Sequence, residues 1–218
     1  MMFSSTTPMR RRLGRLAAHL VVAVIALVVI GGATRVMEAG LACPDWPLCY
    51  GSFLPGRQMN LQVFLEWFHR LDAFVIGVAL VVKAVVSVVW RRSLPRWLPW
   101  MSGLLVLLVA LQGGLGALTV MQLLPSAVVT AHLALALTLV ALLSGFTQRL
   151  LQSGEGQAPW WWRPLSAFAL FGVLSQCLLG ARMATSWAAQ RCLAGGDACR
   201  WLLSVSYTHL TLPTMRTV

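Results

Sequence analysis

The run Gln62-Val63-Phe64-Leu65-Glu66-Trp67-Phe68-His69-Arg70-Leu71-Asp72-Ala73-Phe74-Val75-Ile76-Gly77-Val78-Ala79-Leu80-Val81-Val82-Lys83 decides the fold. It opens an apolar segment that continues to about Trp90. At ~1.5 Å rise per residue such a helix crosses ~30 Å of hydrocarbon. Lys83, deep within it, either snorkels or faces protein. Four further segments read the same way: about Leu16 to Val36, Trp97 to Met121, Pro125 to Gln148 and Pro164 to Trp187. The fold expected is all-α, a polytopic membrane helix bundle.

Composition agrees. The 218 residues are 58% hydrophobic and 11% charged, with a mean hydropathy of +0.76. A soluble domain of this length carries roughly twice the charge. The net charge of +11 does not point to nucleic acid, because the arginines cluster in short loops between apolar segments. Arg10, Arg11, Arg12, Arg91, Arg92, Arg96, Arg149 and Arg163 fall on one side. Arg57, Arg191 and Arg200 fall on the other, beside Glu38, Asp45 and Asp197. The N-terminus is therefore expected in the cytoplasm, with residues 1–15 as a cytoplasmic segment. The apolar stretch after Arg15 is too long for a cleaved signal and reads as a retained first helix. The loops holding Cys43/Cys49 and Cys192/Cys199 then face the outside, a compartment that in a bacterium permits disulfides.

An internal repeat divides the chain. Gln112-Gly113-Gly114-Leu115-Gly116-Ala117 in the third segment corresponds to Gln176-Cys177-Leu178-Leu179-Gly180-Ala181 in the fifth. The first and fifth segments each end in Gly, Ala and Arg before a loop with two cysteines. Residues 16–150 thus read as a four-helix half, and 151–203 as the fifth helix and start of a second, truncated half. The run Ser204-Val205-Ser206-Tyr207-Thr208-His209-Leu210-Thr211-Leu212-Pro213-Thr214 has neither helical period nor loop logic and resembles a translated sequencing-adapter read. Residues 204–218 are expected to be non-native, and His209 is given no role.

The candidate chemistry lies in the first half. His69 and His132 each sit six or seven residues inside the outer end of their helix, about 10 Å below one membrane face. Two imidazoles at one level are an axial ligand set for haem. Glu66 shares a helix face with His69 at i, i+3. A di-iron carboxylate site also uses Glu-x-x-His, but needs further glutamates inside the bundle, and Glu38 and Glu155 lie at or outside helix ends. Gly113, Gly114 and Gly116 lie near the histidine level, where small residues admit a close helix or a flat macrocycle, and Gln112 offers a polar contact there. Arg35 and Arg70 suit propionate pairing or interfacial anchoring. Cys43 and Cys49 flank a short loop that a disulfide could close, as a staple or a redox pair. Cys177 reads as helix packing, His19 as interfacial. Zinc is disfavoured, since neither cysteine loop contains histidine.

These residues resemble a known family. Gly31-Gly32-Ala33-Thr34-Arg35, then Cys43-Pro44-Asp45-Trp46-Pro47-Leu48-Cys49, then Glu66-x-x-His69-Arg70, with His132 and the Gln-x-x-Leu-Gly-Ala repeats, are similar to haem A synthase over about residues 14 to 203. The resemblance implies eight helices in two pseudo-symmetric halves and oxidation of a haem O methyl group to formyl, giving haem A for terminal oxidases. It implies His69 and His132 as axial ligands of substrate haem O, and Glu66 as the acid/base group. A haem b cofactor would belong to the second half, below the Cys192/Cys199 pair. An upstream haem O synthase, cytochrome oxidase assembly factors and membrane lipid are the implied partners, with homo-oligomerisation left open. Because the last three helices and their histidines are absent from the sequence, an inactive fragment with a poorly restrained fifth helix is expected. Two other functions compete. A membrane thiol:quinone oxidoreductase would explain the cysteines and leave the histidines idle. A bis-histidine electron-carrying cytochrome would explain the histidines and leave Glu66 and the cysteine loop without a role.

Overall fold

The structure, a computed structural model, describes residues 8–152 and 159–185. Five helices are long and apolar enough to cross a membrane: α1 (Pro8–Val36), α2 (Leu61–Val89), α3 (Trp97–Met121), α4 (Ser126–Leu151) and α5 (Trp162–Thr185). No strand occurs among the described residues. The chain is a multi-pass helical membrane protein.

Helices α1 to α4 form a closed up-down-up-down ring, each packing on its neighbours in sequence and α4 returning to α1. Short connections join α2 to α3 and α3 to α4, and a longer one, residues 37–60, joins α1 to α2. α5 packs against α4. Arg35, at the end of α1, donates to the Ala184 carbonyl near the end of α5 at 2.7 Å.

Helix boundaries follow local chemistry. Asn60 caps α2, its side chain accepting from the Val63 amide at 2.9 Å. α1 starts at Pro8, two turns before the expected Leu16. Proline has no N–H to leave unpaired in a first turn, and the arginines expected in a preceding segment ride on the helix instead. Arg10 reaches the Arg149 carbonyl at 2.9 Å and the Gln152 carbonyl at 3.3 Å, neutralising the negative end of α4. Lys83 does not snorkel. It is 1% exposed, and its Nζ lies 3.4 Å from the centroid of the Phe146 ring.

The packed core is confined to the inner half of the ring. It consists of Leu13, Ala17, Leu20 and Val24 from α1, Ile76 and Leu80 from α2, Leu98 and Leu105 from α3, and Leu139, Leu143, Phe146 and Leu150 from α4, joined by Leu94. A second, small cluster of Cys43, Cys49 and Val63 caps the outer end. Between them lies a layer in which no residue is fully buried: positions 25–33 of α1, 67–75 of α2, 106–121 of α3 and 126–135 of α4.

Candidate functional site

The cap over this layer is the 37–60 connection. Cys43 and Cys49 form a disulfide and are 0% and 2% exposed. Ala42, Met59 and Trp67 pack around them. The chain then reverses over Cys49-Tyr50-Gly51-Ser52. Tyr50 and Gly51 take φ of 55° and 70°, the left-handed pair of a type I′ turn. Asp45 holds that conformation, accepting from the Tyr50 amide at 2.6 Å and the Gly51 amide at 2.8 Å. Donation from Gly51, with further help from Tyr50, keeps the Asp45 carboxyl below its ordinary range against a smaller desolvation effect.

Glu66 and Arg70 bind this cap to α2. Glu66 is 5% exposed. Its Oε2 accepts from the Cys43 amide at 2.8 Å, and its Oε1 accepts from Arg70 Nη2 at 2.5 Å. Arg70 also donates from Nη1 to the Asp45 and Leu48 carbonyls, both at 2.6 Å, and from Nη2 to the Cys43 carbonyl at 3.3 Å. Both terminal nitrogens of the guanidinium are thereby saturated. Trp67 adds an indole N–H to the Phe53 carbonyl at 2.5 Å.

Below the cap, in the layer without a fully buried residue, are the two histidines. His69 lies about 12 Å along α2 from its outer end, and His132 about 9 Å along α4. The two are close enough to interact electrostatically. Each has a buried Nδ1 with no hydrogen-bond partner, which is uncommon for buried polar atoms. Each ring also faces a glycine of the preceding helix. A Cβ on Gly31 of α1 would lie 3.0 Å from His69 Cε1, and one on Gly116 of α3 would lie 3.5 Å from His132 Cε1. Gln112 donates from Nε2 to the His132 backbone carbonyl at 3.0 Å, while its Oε1 is buried without a partner.

The other expected site residues lie elsewhere. A Cβ added at Gly113 or Gly114 would meet nothing within 4 Å. Arg35 and Arg70 make the backbone contacts described above. Cys177 is exposed on α5, so its expected packing role is not seen. It lies on a helix whose main packing partner is α4. His19 is exposed, with its Nδ1 2.7 Å from the Arg15 carbonyl. Cys192, Cys199 and the tail from 204 lie outside the described residues. Gly31 was quoted only as part of a motif, and its contact with His69 was not foreseen. The repeated Gly-x-x-Thr of Gly31/Thr34 and Gly116/Thr119 was the available signal: each threonine hydroxyl donates to its glycine carbonyl, at 2.7 and 2.6 Å. Asp72, one turn below His69 and half-buried, was also passed over, although a carboxylate at membrane depth is a signal in itself.

Comparison with known proteins supplies the family. A curated haem A synthase of Shewanella oneidensis is 30% identical over 194 residues, covering 77% of this chain and 56% of its own. One of Bradyrhizobium diazoefficiens is 33% identical over 198 residues, covering 75% and 55%. A protohaem IX farnesyltransferase of Haloarcula marismortui is 39% identical over 72 residues, 33% of this chain and 15% of its own. The chain spans about half the length of the haem A synthases quoted. No solved structure matches it. The family model described as COX15-CtaA, cytochrome oxidase assembly protein, matches residues 14–204. On that match the chain belongs to the COX15-CtaA family of cytochrome oxidase assembly proteins.

Proposed function

We propose that residues 16–150 are the substrate-binding half of a haem A synthase, holding haem O between His69 and His132 while a methyl group is oxidised to formyl. The observation that carries this reading is the layer at the level of the two histidines. Protein interiors are packed to crystal density, yet here a layer between two packed clusters contains no fully buried residue. It holds two imidazoles, each with a glycine beside it. A flat, iron-bearing macrocycle fits that donor set.

Bound haem supplies the oxidising iron that an unactivated methyl requires. The chain's own residues do the rest. His69 and His132 orient the macrocycle across the ring of helices. The cap closes the outer end and excludes water. Glu66 is the proposed proton-handling group: the two contacts described leave acceptor capacity on its carboxylate, which offers about four lone-pair sites, one helical turn above His69. Gln112 fixes the α4 backbone at His132. The apolar inner half suits a farnesyl tail.

In this reading α5 opens a second half, for which the resemblance implies a haem b cofactor beneath Cys192 and Cys199. The arginine bias supports a cytoplasmic N-terminus in a bacterial plasma membrane, with the cap on the outer face. A farnesylating enzyme upstream and a terminal oxidase downstream are the partners. The thiol oxidoreductase alternative loses ground because Cys43 and Cys49 are buried and a thiol-exchange pair needs access.

The test is a reduced-minus-oxidised absorption spectrum of the detergent-purified chain, with extracted haem identified by chromatography. A low-spin spectrum lost in both His69→Ala and His132→Ala, with haem O in the extract, is the expected result. A well-folded sample that takes up no haem refutes the reading.

A further inference from the structure

The two histidines are not held by hydrogen bonds through Nδ1, the atom that usually fixes an imidazole's orientation. In both, that nitrogen is buried and unpartnered. Each ring has a backbone partner, at Leu27 for His69 and at Gln112 for His132, and each also faces a glycine on the neighbouring helix. A Cβ at Gly31 would approach three atoms of the His69 ring, Cε1 at 3.0 Å and Nδ1 and Nε2 at 3.6 Å each. A Cβ at Gly116 would approach His132 Cε1 at 3.5 Å and Nδ1 at 4.0 Å. The arrangement is duplicated beyond the glycines. Thr34 and Thr119, each three residues on, donate their hydroxyls to the Gly31 and Gly116 carbonyls. A hydroxyl bonded back into the preceding turn locally bends a helix. The pairs α1/α2 and α3/α4 therefore present the same device: glycine, back-bonded threonine and facing imidazole.

We infer that Gly31 is a positioning residue for His69, and that the absence of a Cβ at this position leaves the room that the plane of the ring needs. The inference rests on the haem-ligand reading for its consequence but not for its geometry. Gly31 and Gly116 differ in tolerance. At Gly31 the obstacle is the body of a ring held on α2, which cannot swing aside as the tip of a flexible chain would. At Gly116 the approach is ordinary van der Waals contact. One added methyl must therefore displace the His69 ring by a few tenths of an ångström and leave His132 in place. Gly32, the next residue on α1, has nothing within 4 Å of its Cβ. It controls for the helix-propensity gain that any Gly→Ala change brings.

The experiment compares Gly31→Ala, Gly32→Ala and Gly116→Ala in the full chain, purified in detergent. Two readouts are used. In haem-free protein the ring 15N and 13C signals of His69 and His132 are recorded. In protein titrated with haemin the low-spin electron paramagnetic resonance signal is recorded. Gly31→Ala should shift the His69 ring signals, and should displace or abolish the low-spin signal. Gly32→Ala and Gly116→Ala should match the parent. If Gly31→Ala fails to accumulate, adding His69→Ala should restore accumulation, because the ring is the obstacle. His69 signals in Gly31→Ala that match those in Gly32→Ala, or an absence of rescue by His69→Ala, would overturn the inference. Failure of the parent chain to bind haemin would refute the proposed function alone, and the haem-free signals would still decide the role of Gly31.

Discussion

Arg70→Met tests the cap most directly. Methionine keeps much of the aliphatic stem and removes four donated hydrogen bonds, to Glu66 and to the Cys43, Asp45 and Leu48 carbonyls. The side chains of Arg70 and Glu66 are 14% and 6% exposed, so water screens the pair little. Removing one member of a buried pair strands the other charge, at a cost of about 3–5 kcal/mol. The Asp45 and Leu48 carbonyls are only half-buried, and water can replace part of what they lose. That places the cost at the lower end, about 3 kcal/mol, or roughly a hundredfold in the equilibrium for opening the cap. The disulfide reports on that opening, because a reductant reaches Cys43 and Cys49 only when the cap lifts. Reduction followed by alkylation and mass spectrometry should therefore proceed roughly a hundredfold faster in Arg70→Met. Adding Glu66→Gln should recover part of the loss, since no buried charge is then stranded. Arg70→Lys should fall between parent and Arg70→Met, because an ammonium keeps the charge but not the fork. A reduction rate in Arg70→Met within a few-fold of the parent would show that the guanidinium does not hold the cap closed.

Lys83→Met should leave the chain as stable as the parent or more so, since it keeps volume while removing a buried amine that lacks a hydrogen-bond partner; Lys83→Ala should cost about 2–5 kcal/mol by leaving a cavity, both read from denaturant unfolding in micelles. The Asp45 carboxyl titrates lower in the folded cap than its ordinary 3.8. Its contribution is therefore complete above that value and lost as pH falls through the lower, folded one. Acid should speed reduction of Cys43–Cys49 by a phosphine in the parent, and Asp45→Asn should flatten that dependence. Arg35→Ala should free the end of α5 for proteolysis, by loss of the bond to Ala184, and leave haem binding unchanged; a fall in haem affinity would instead return Arg35 to the propionates.

The helices were legible because hydrophobic length is a one-dimensional property. The third segment, Trp97 to Met121, matches α3 at both ends, and the others differ by a few residues except at Pro8. Facing is harder to read. Gly113 and Gly116 are three residues apart on one helix, and only Gly116 meets a histidine. The sequence pattern does not encode how far α3 and α4 diverge above the inner core. Glu66 and His69 share a face at i, i+3, which suggested a common site. Arg70, at i+4 from Glu66, and the Cys43 amide also tie the carboxylate to the cap. That tertiary contact spans 23 residues, and no local periodicity announces it.

The placement of polar groups separates two jobs along the same helices. In the inner half, Ser87 and Thr147 return their hydroxyls to their own helices, and Lys83 lies against an aromatic face. Packing there is dense and fixes the four helices relative to one another. At the outer end, Glu66, Arg70 and Asp45 bind a disulfide-closed cap through backbone groups, which fixes the tops of α1 and α2. A layer held at both ends can lack a fully buried residue without collapsing, because closing it would break one clamp or the other. Filling that layer with side chains would add stability. A ligand that fills the layer adds its binding free energy to folding by linkage. The sequence places Gly31 and Gly116 against the two rings, as expected if the core of the outer half is completed by a ligand.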